Sequence, residues 1–209
     1  MSTRIKFCGA TSWTDVELAL DAGADAVGLI FAESPRRIRW EAAREIAGRI
    51  PPQITPVAVF VNPTRDEIAR VRDLLPNVLV QLSGDEPPGF ATSIDATVIK
   101  AIGVGDESPS EMLRICDRYA PSLMLFDTRV AGKYGGTGLT FDWSNITQLA
   151  RWRPVMVAGG LTPDNVAACV RAVRPFGVDV RSGIETDGHK DLAKMRAFVR
   201  AVRESDAAA

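Results

Sequence analysis

Short apolar runs recur along the whole chain, and most of them end in a residue able to do chemistry. They fall at 5–8, 26–31, 57–61, 79–82, 98–102, 123–127, 155–160 and 178–183, and their endings include Cys8, Asp127, the Gly159–Gly160 pair and Ser182–Gly183. The runs are almost continuously apolar, as strands must be when a packed core covers one face and helices cover the other. Between them lie helix-like stretches. The first, at 13–22, has Thr11, Ser12 or Thr14 to cap it and Gly23 to stop it. Others fall at 40–49 (ended by Pro51 and Pro52), after Asn62-Pro63-Thr64 to about 75, weakly near Phe90, and at 110–119, 143–152, 163–173 and 191–203. Eight strand–helix units closing on themselves predict a single (β/α)8 barrel, an α/β TIM-barrel domain over 1–204 with a frayed tail at 205–209. An open doubly wound sheet is the rival reading. In a closed parallel barrel the strand C-termini share one mouth, so residues far apart in sequence meet in one site.

Composition narrows the function classes. Lys plus Arg number 25 against 26 Asp plus Glu, so no basic surplus points to nucleic acid or an acidic membrane. No 18-residue apolar run is present and the N-terminus leads straight into a strand, so neither a membrane span nor a signal peptide is expected, and the reading is cytoplasmic. Three widely spaced cysteines argue for a reduced compartment. With no CxxC or HExxH and His189 as the only histidine, neither a metal site nor Ser-His-Asp catalysis is expected.

Two segments are suited to an anion. Gly159, Gly160 and the following Leu-Thr-Pro163 leave a strand and open a helix, while Ser182 and Gly183 follow the last strand. Glycines allow close backbone approach, amides at a helix N-terminus donate to phosphate oxygens, and the loops after strands 7 and 8 are the recurrent phosphate position in such barrels. Tight turns with no ligand are the plainer alternative for either loop alone. A third glycine-rich segment, 132–138, suits a cover over substrate, with Lys133 as an extra cation.

Cys8 ends strand 1, two residues from Lys6 and on the same face. At an ordinary pKa only about 3 % of a thiol is thiolate at neutral pH, and Lys6 is expected to raise that share. Cys116 and Cys169, inside helices, read as inert hydrophobes. Asp127 would be useful as an acid only if a dry pocket near Leu125 and Phe126 kept it protonated; an N-cap or a pair with Arg129 is the alternative. Arg36, or equally Arg37, is placed to hold a carboxylate. Asp179 and Arg181 share a face of strand 8, where mutual pairing is the simplest outcome. Lys100, if desolvated inside the barrel, would allow a Schiff base.

Strings spread over essentially the whole chain resemble the phosphoribosylanthranilate isomerases of tryptophan biosynthesis. They are KFCG at 6–9, DAGAD at 21–25, SPR at 34–36, VFVN at 59–62, QLSGDE at 81–86, FDT at 126–128, GGTG at 135–138, FDW at 141–143, AGGL at 158–161 and VDV at 178–180 before Ser182 and Gly183. The resemblance implies an Amadori rearrangement of N-(5'-phosphoribosyl)anthranilate, with Cys8 as general base, Asp127 as general acid and Arg36 on the substrate carboxylate. It places the phosphate on the loops carrying Gly159, Gly160, Ser182 and Gly183. Lys6, Gln81, Asp179 and Gly136 become supporting residues. Such internal proton transfer needs no nicotinamide, flavin or metal cofactor. The implied partner is a small phosphoribosyl substrate, not nucleic acid or membrane, and the even charge leans toward a monomer, with a dimer as the alternative.

Two positions depart from the family pattern: Ser83 replaces the usual His, and Arg181 replaces the usual Ser. They leave open a related phosphosugar isomerase or synthase with altered substrate preference, including use of a second, histidine-pathway phosphosugar. A non-catalytic phosphate-binding barrel is the third reading, although binding alone needs neither a thiol nor a buried acid.

Overall fold

The computed structural model describes residues 2–75, 77–119, 123–128 and 140–208. Among them eight parallel strands close into a barrel: β1 (Arg4–Cys8), β2 (Ala26–Ile30), β3 (Thr55–Phe60), β4 (Leu79–Leu82), β5 (Val98–Val104), β6 (Leu123–Thr128), β7 (Val155–Val157) and β8 (Gly177–Val180). The helices are α1 (Trp13–Ala22), α2 (Trp40–Arg49), α3 (Arg65–Leu74), α4 (Pro88–Thr92), α5 (Pro109–Asp117), α6 (Ser144–Trp152), α7 (Val166–Val173) and α8 (Leu192–Ala207). β8 pairs with β1 to close the ring, placing Lys6 opposite Asp179. The closed ring rules out the open-sheet alternative.

Local chemistry explains where the helices start. Ser12, Thr64 and Ser108 each accept the amide three residues on, and an acidic side chain at that third position reaches back to the cap amide. This reciprocal arrangement satisfies two otherwise orphaned donors at each start. Gly23 ends α1 in the left-handed region, as its position after the last apolar residue implied.

Side chains alternate between two cores, as the pleat requires. Ile30, Val57, Val59, Ile99, Leu125, Met156 and Ala158 fill the barrel interior together with Cys8. Their neighbours Val27, Leu29, Ala58, Phe60, Met124, Phe126 and Val157 pack outward against the helices. Asp127 therefore inherits the inward parity of Leu125, and Cys8 that of Lys6.

Several expected boundaries shift, each at the functional end. β7 stops at Val157 because Gly159 and Gly160 turn into the left-handed region (φ +82° and +57°). α7 starts at Val166, not 163, because the Asn165 side chain holds the preceding turn: its Oδ1 accepts from the Thr162 amide (2.8 Å) and its Nδ2 donates to the Gly160 carbonyl (2.9 Å). β8 stops at Val180 and gives way to a short 3-10 turn at Ser182–Ile184. A small antiparallel hairpin follows, β9 (Glu185–Thr186) and β10 (His189–Lys190), which the strand reading missed. Its signal was present, since Asp187 and Gly188 both take positive φ, as the commonest two-residue hairpin turn demands. The expected frayed tail is also corrected: α8 continues to Ala207, Ser205 is buried, and Asp206 accepts from both the amide and the hydroxyl of Thr3. Among the described residues, no helix is long and apolar enough to cross a membrane.

Candidate active site

The strand C-termini surround a cavity of about 1190 Å³ lined by Cys8, Arg36, Gln81, Asp127, Gly159, Gly160, Asp179, Arg181 and Ser182, among others. Residues from β1, β4, β6, β7 and β8 thus converge as a closed barrel dictates. Gly183 is just behind this wall. A side chain there would collide with the Leu161 carbonyl, so the loops after β7 and β8 touch backbone to backbone. Gly159 is as constrained: its φ is positive, and a Cβ would stand 2.5 Å from Thr128 Oγ1 and 3.0 Å from Asp127 Oδ1. The two anion-suited loops therefore form one continuous rim beside Asp127. The third segment, 132–138, with Lys133 and Gly136, lies outside the described residues, as does Arg129.

Asp127 sits near the inner end of β6. Burial, reinforced by the nearby Asp179 charge, pushes its carboxyl up to about 6, while the Thr128 amide donating to Oδ1 (2.8 Å) partly opposes the shift. A carboxyl in that range carries its proton for a useful fraction of the time near neutrality.

Cys8 faces it with a buried thiol whose pKa is also raised. Burial dominates, and Lys6 opposes it without prevailing. Lys6 does favour the thiolate, as expected, but it does not outweigh burial, because ring closure pairs it with Asp179. Lys6 Nζ donates to Asp179 Oδ1 at 2.8 Å, both side chains are buried, and the carboxylate offsets the field of the ammonium at the thiol. The same contact corrects the expected pairing of Asp179 with Arg181. For Lys6 itself, burial works to lower the pKa, but Asp179 and then Cys8 outweigh it, so the group stays charged. Room for this cluster comes from β2: a Cβ on Gly28 would stand 2.7 Å from Cys8 Sγ and 3.1 Å from Lys6 Nζ.

Arg36 reaches the mouth but is already engaged. Its Nε donates to both carboxylate oxygens of Glu185 (3.0 and 3.1 Å) and its Nη2 to Oε2. Glu185 also accepts from Lys190 Nζ (2.9 Å), which donates in addition to the Cys8 carbonyl (2.6 Å). Burial would raise the Glu185 pKa, but these two cations hold it below the usual carboxylate range. Sequence reasoning missed Glu185 and Lys190 because it missed the hairpin that carries them. On β4, Gln81 Nε2 donates to Ser83 Oγ (3.1 Å), and its Oε1 is buried with no partner among the described residues.

Lys100 is not inside the barrel. Ile99 and Ala101 pack in the inner core, whereas Val98, Ile102 and Val104 share the parity of Lys100 and face the helices. Its Nζ donates to the Leu82 carbonyl (3.3 Å), the Gly84 carbonyl (2.6 Å) and Glu86 Oε2 (2.8 Å). An ammonium has three donors and all are used, so a Schiff base at Lys100 has no chemical basis here. Cys116 and Cys169 are buried thiols pushed up to about 11 and about 12 by desolvation, consistent with inert packing. Among the described residues, no three His, Cys, Asp or Glu side chains converge as a metal site.

A (β/α)8 barrel with an inward thiol and an inward carboxyl beneath a paired glycine rim is the class of an acid–base enzyme acting on an anionic small molecule. The N-(5'-phosphoribosyl)anthranilate isomerase family model matches residues 5–201. An N-(5'-phosphoribosyl)anthranilate isomerase of Moorella thermoacetica is 43% identical over 97% of this chain and 91% of its own length. A second, from Pseudomonas fluorescens, is 43% identical over 98% of both chains. The solved phosphoribosylanthranilate isomerase of Thermotoga maritima superposes with a TM-score of 0.86 at 37% identity, covering 97% of this chain and 99% of its own. A phosphoribosylanthranilate isomerase solved in complex with reduced 1-(o-carboxyphenylamino)-1-deoxyribulose 5-phosphate gives 0.83 at 36% identity, with the same coverage. The chain belongs to the N-(5'-phosphoribosyl)anthranilate isomerase family.

Proposed function

We infer that this protein isomerises N-(5'-phosphoribosyl)anthranilate to 1-(2-carboxyphenylamino)-1-deoxyribulose 5-phosphate, an aldose-to-ketose step of tryptophan biosynthesis. The observation that carries the residue assignment is a buried thiol and a carboxyl raised to about 6 lining one cavity beneath the two glycine loops. Asp127 delivers its proton to the ring oxygen as the furanose C1'–O bond opens, leaving a protonated imine. Cys8 thiolate removes the C2' proton to give the enolamine; the thiol proton then returns to C1' while the 2'-hydroxyl gives up its proton, which restores the Asp127 carboxyl, and the ketone results. The sugar oxidises itself internally, so electrons balance without a redox partner.

The 5'-phosphate is assigned to the rim formed by Gly159, Gly160, Ser182 and Gly183, where the two loops meet backbone to backbone. The anthranilate carboxylate is assigned to the Arg36 side of the mouth, where Nη1 takes no part in the contact with Glu185. Lys6 and Asp179 position the base, and Gln81 Oε1 is free to accept from a sugar hydroxyl. We also propose that the protein acts as a cytoplasmic monomer, to be checked by light scattering on the purified chain.

The two pKa directions make the resting site reverse-protonated. Over a wide range the cavity holds one proton on Cys8, whereas chemistry needs it on Asp127. With burial holding the thiol above its ordinary range and the acid at about 6, only a small minority of molecules is correctly arranged before substrate binds. Consequently kcat/KM rises through about pH 6 and falls only above the ordinary thiol range. Turnover followed by loss of substrate fluorescence tests the roles. Cys8→Ala and Asp127→Asn should each lose about 10²- to 10⁴-fold, and undiminished activity in either would remove the assignment.

A further inference from the structure

Two arginines line the same side of the cavity, and only one is neutralised. The Cδ atoms of Arg36 and Arg181 each lie 3.4 Å from the point where a Cβ on Gly9 would stand, so the two side chains pass side by side over the end of β1. Arg36 is locked to Glu185. Arg181 forms no ion pair among the described residues, and its Nε is buried without a hydrogen-bond acceptor. A buried N–H left without an acceptor is destabilising, more so on a charged group, and an anionic ligand would relieve that.

The direction of the side chain distinguishes which anion. The phosphate-suited amides belong to the loops after β7 and β8. Arg181 leaves β8 and runs the other way, toward Gly9 after β1 and Arg36 after β2. A substrate with its phosphate on the glycine rim therefore meets Arg181 at its other end. The planar guanidinium fork matches a planar carboxylate in two parallel hydrogen bonds.

We propose that Arg181 is a second anchor for the aromatic carboxylate of the substrate, beside Arg36, whose Nη1 takes no part in the contact with Glu185. This rests on the functional reading above. It also couples recognition to chemistry. Arg181 is one of the cations favouring ionised Asp127 and ionised Cys8, so a carboxylate that neutralises it raises both groups, helping Asp127 keep the proton it must donate and making the Cys8 thiolate scarcer.

Steady-state kinetics on N-(5'-phosphoribosyl)anthranilate and on its aniline analogue, which lacks only the carboxylate, test this. Wild type should favour the carboxylate substrate. Arg181→Met should lose about 10- to 100-fold in kcat/KM on it and much less on the analogue, whose turnover reports only the altered charge beside Cys8 and Asp127. Arg181→Lys should recover only part, because a lysine keeps the charge but not the fork. Inhibition by inorganic phosphate should be equal in wild type and Arg181→Met. Equal losses on both substrates, or weakened phosphate inhibition in the variant, would overturn the carboxylate assignment and leave the isomerase reading standing. Wild-type protein that turns over neither substrate would remove the isomerase reading itself, and the carboxylate assignment with it.

Discussion

Two buried lysines, Lys6 on β1 and Lys100 on β5, hold carboxylates at the same 2.8 Å. Their surroundings give them opposite duties. Lys100 faces outward and is the hub of a closed network: it binds two backbone carbonyls and Glu86, and the other oxygen of Glu86 accepts the amides of Asn62 and Gly84. Each group is spent on holding the loops after β3 and β4. Lys6 faces inward and binds Asp179 at one contact, with the thiol of Cys8 beside it. A saturated buried charge pair is scaffold, whereas a sparsely bonded one next to titratable groups sets their protonation.

The largest expected effect lies on the scaffold side. Lys100→Met should lower stability by about 3–5 kcal/mol, because it strands Glu86 as an uncompensated buried charge. Adding Glu86→Leu should not restore it. The double variant still leaves the amides of Asn62 and Gly84 and the carbonyl of Gly84 without these partners, at about 1–3 kcal/mol each. Urea denaturation of the single and double variants measures this, and full recovery in the double would break the comparison.

A smaller effect of opposite sign belongs to the catalytic side. The folded protein binds the Asp127 proton more tightly than the unfolded chain, so its stability falls as pH climbs from 3.8 through about 6. Above pH 6 the ionised carboxyl accounts for about 3 kcal/mol of lost stability. Asp127→Asn should therefore be inactive yet more stable than wild type at pH 7, by up to that amount, and nearly equal at pH 4. A variant less stable at pH 7 would show that Asp127 is held by contacts that favour its charge.

The same contrast explains what could be read without coordinates. Period-2 alternation settles which of Leu125, Phe126 and Asp127 face inward, so the inward placement of Asp127 was legible, and so was that of Cys8 at its strand end. In β5 apolar residues occupy both faces (Val98, Ile99, Ala101, Ile102, Val104), and such a strand carries no signal for the direction of Lys100. Asp179 was readable as sharing a face with Arg181. Its true partner is 173 residues away, because the register between β8 and β1 is fixed only by ring closure. Arg36 and Glu185 are 149 residues apart for the same kind of reason. Only the hairpin that brings Glu185 and Lys190 into place had an unread local signature, the Asp187–Gly188 turn.

Removing the whole inner pair gives the smallest change in stability and the sharpest comparison with Lys100 and Glu86. Lys6→Met and Asp179→Leu alone each strand a buried charge and should destabilise by about 3–5 kcal/mol. Together they leave no backbone group orphaned, because among the described residues the hydrogen-bond partners of Lys6 are the Asp179 carboxylate and the Cys8 thiol, both side chains. The double variant should therefore return to within about 1 kcal/mol of wild type. Its fingerprint is chemical. With the Asp179 charge gone, the strongest influence after burial on Asp127 disappears, and the Lys6 charge that opposed it was the weaker of the two. The rising limb of the pH profile should then move below about 6, provided turnover stays measurable. A double variant as unstable as its singles would make the inner pair scaffold like the outer one; restored stability with an unmoved limb would show that Asp179 does not tune the acid.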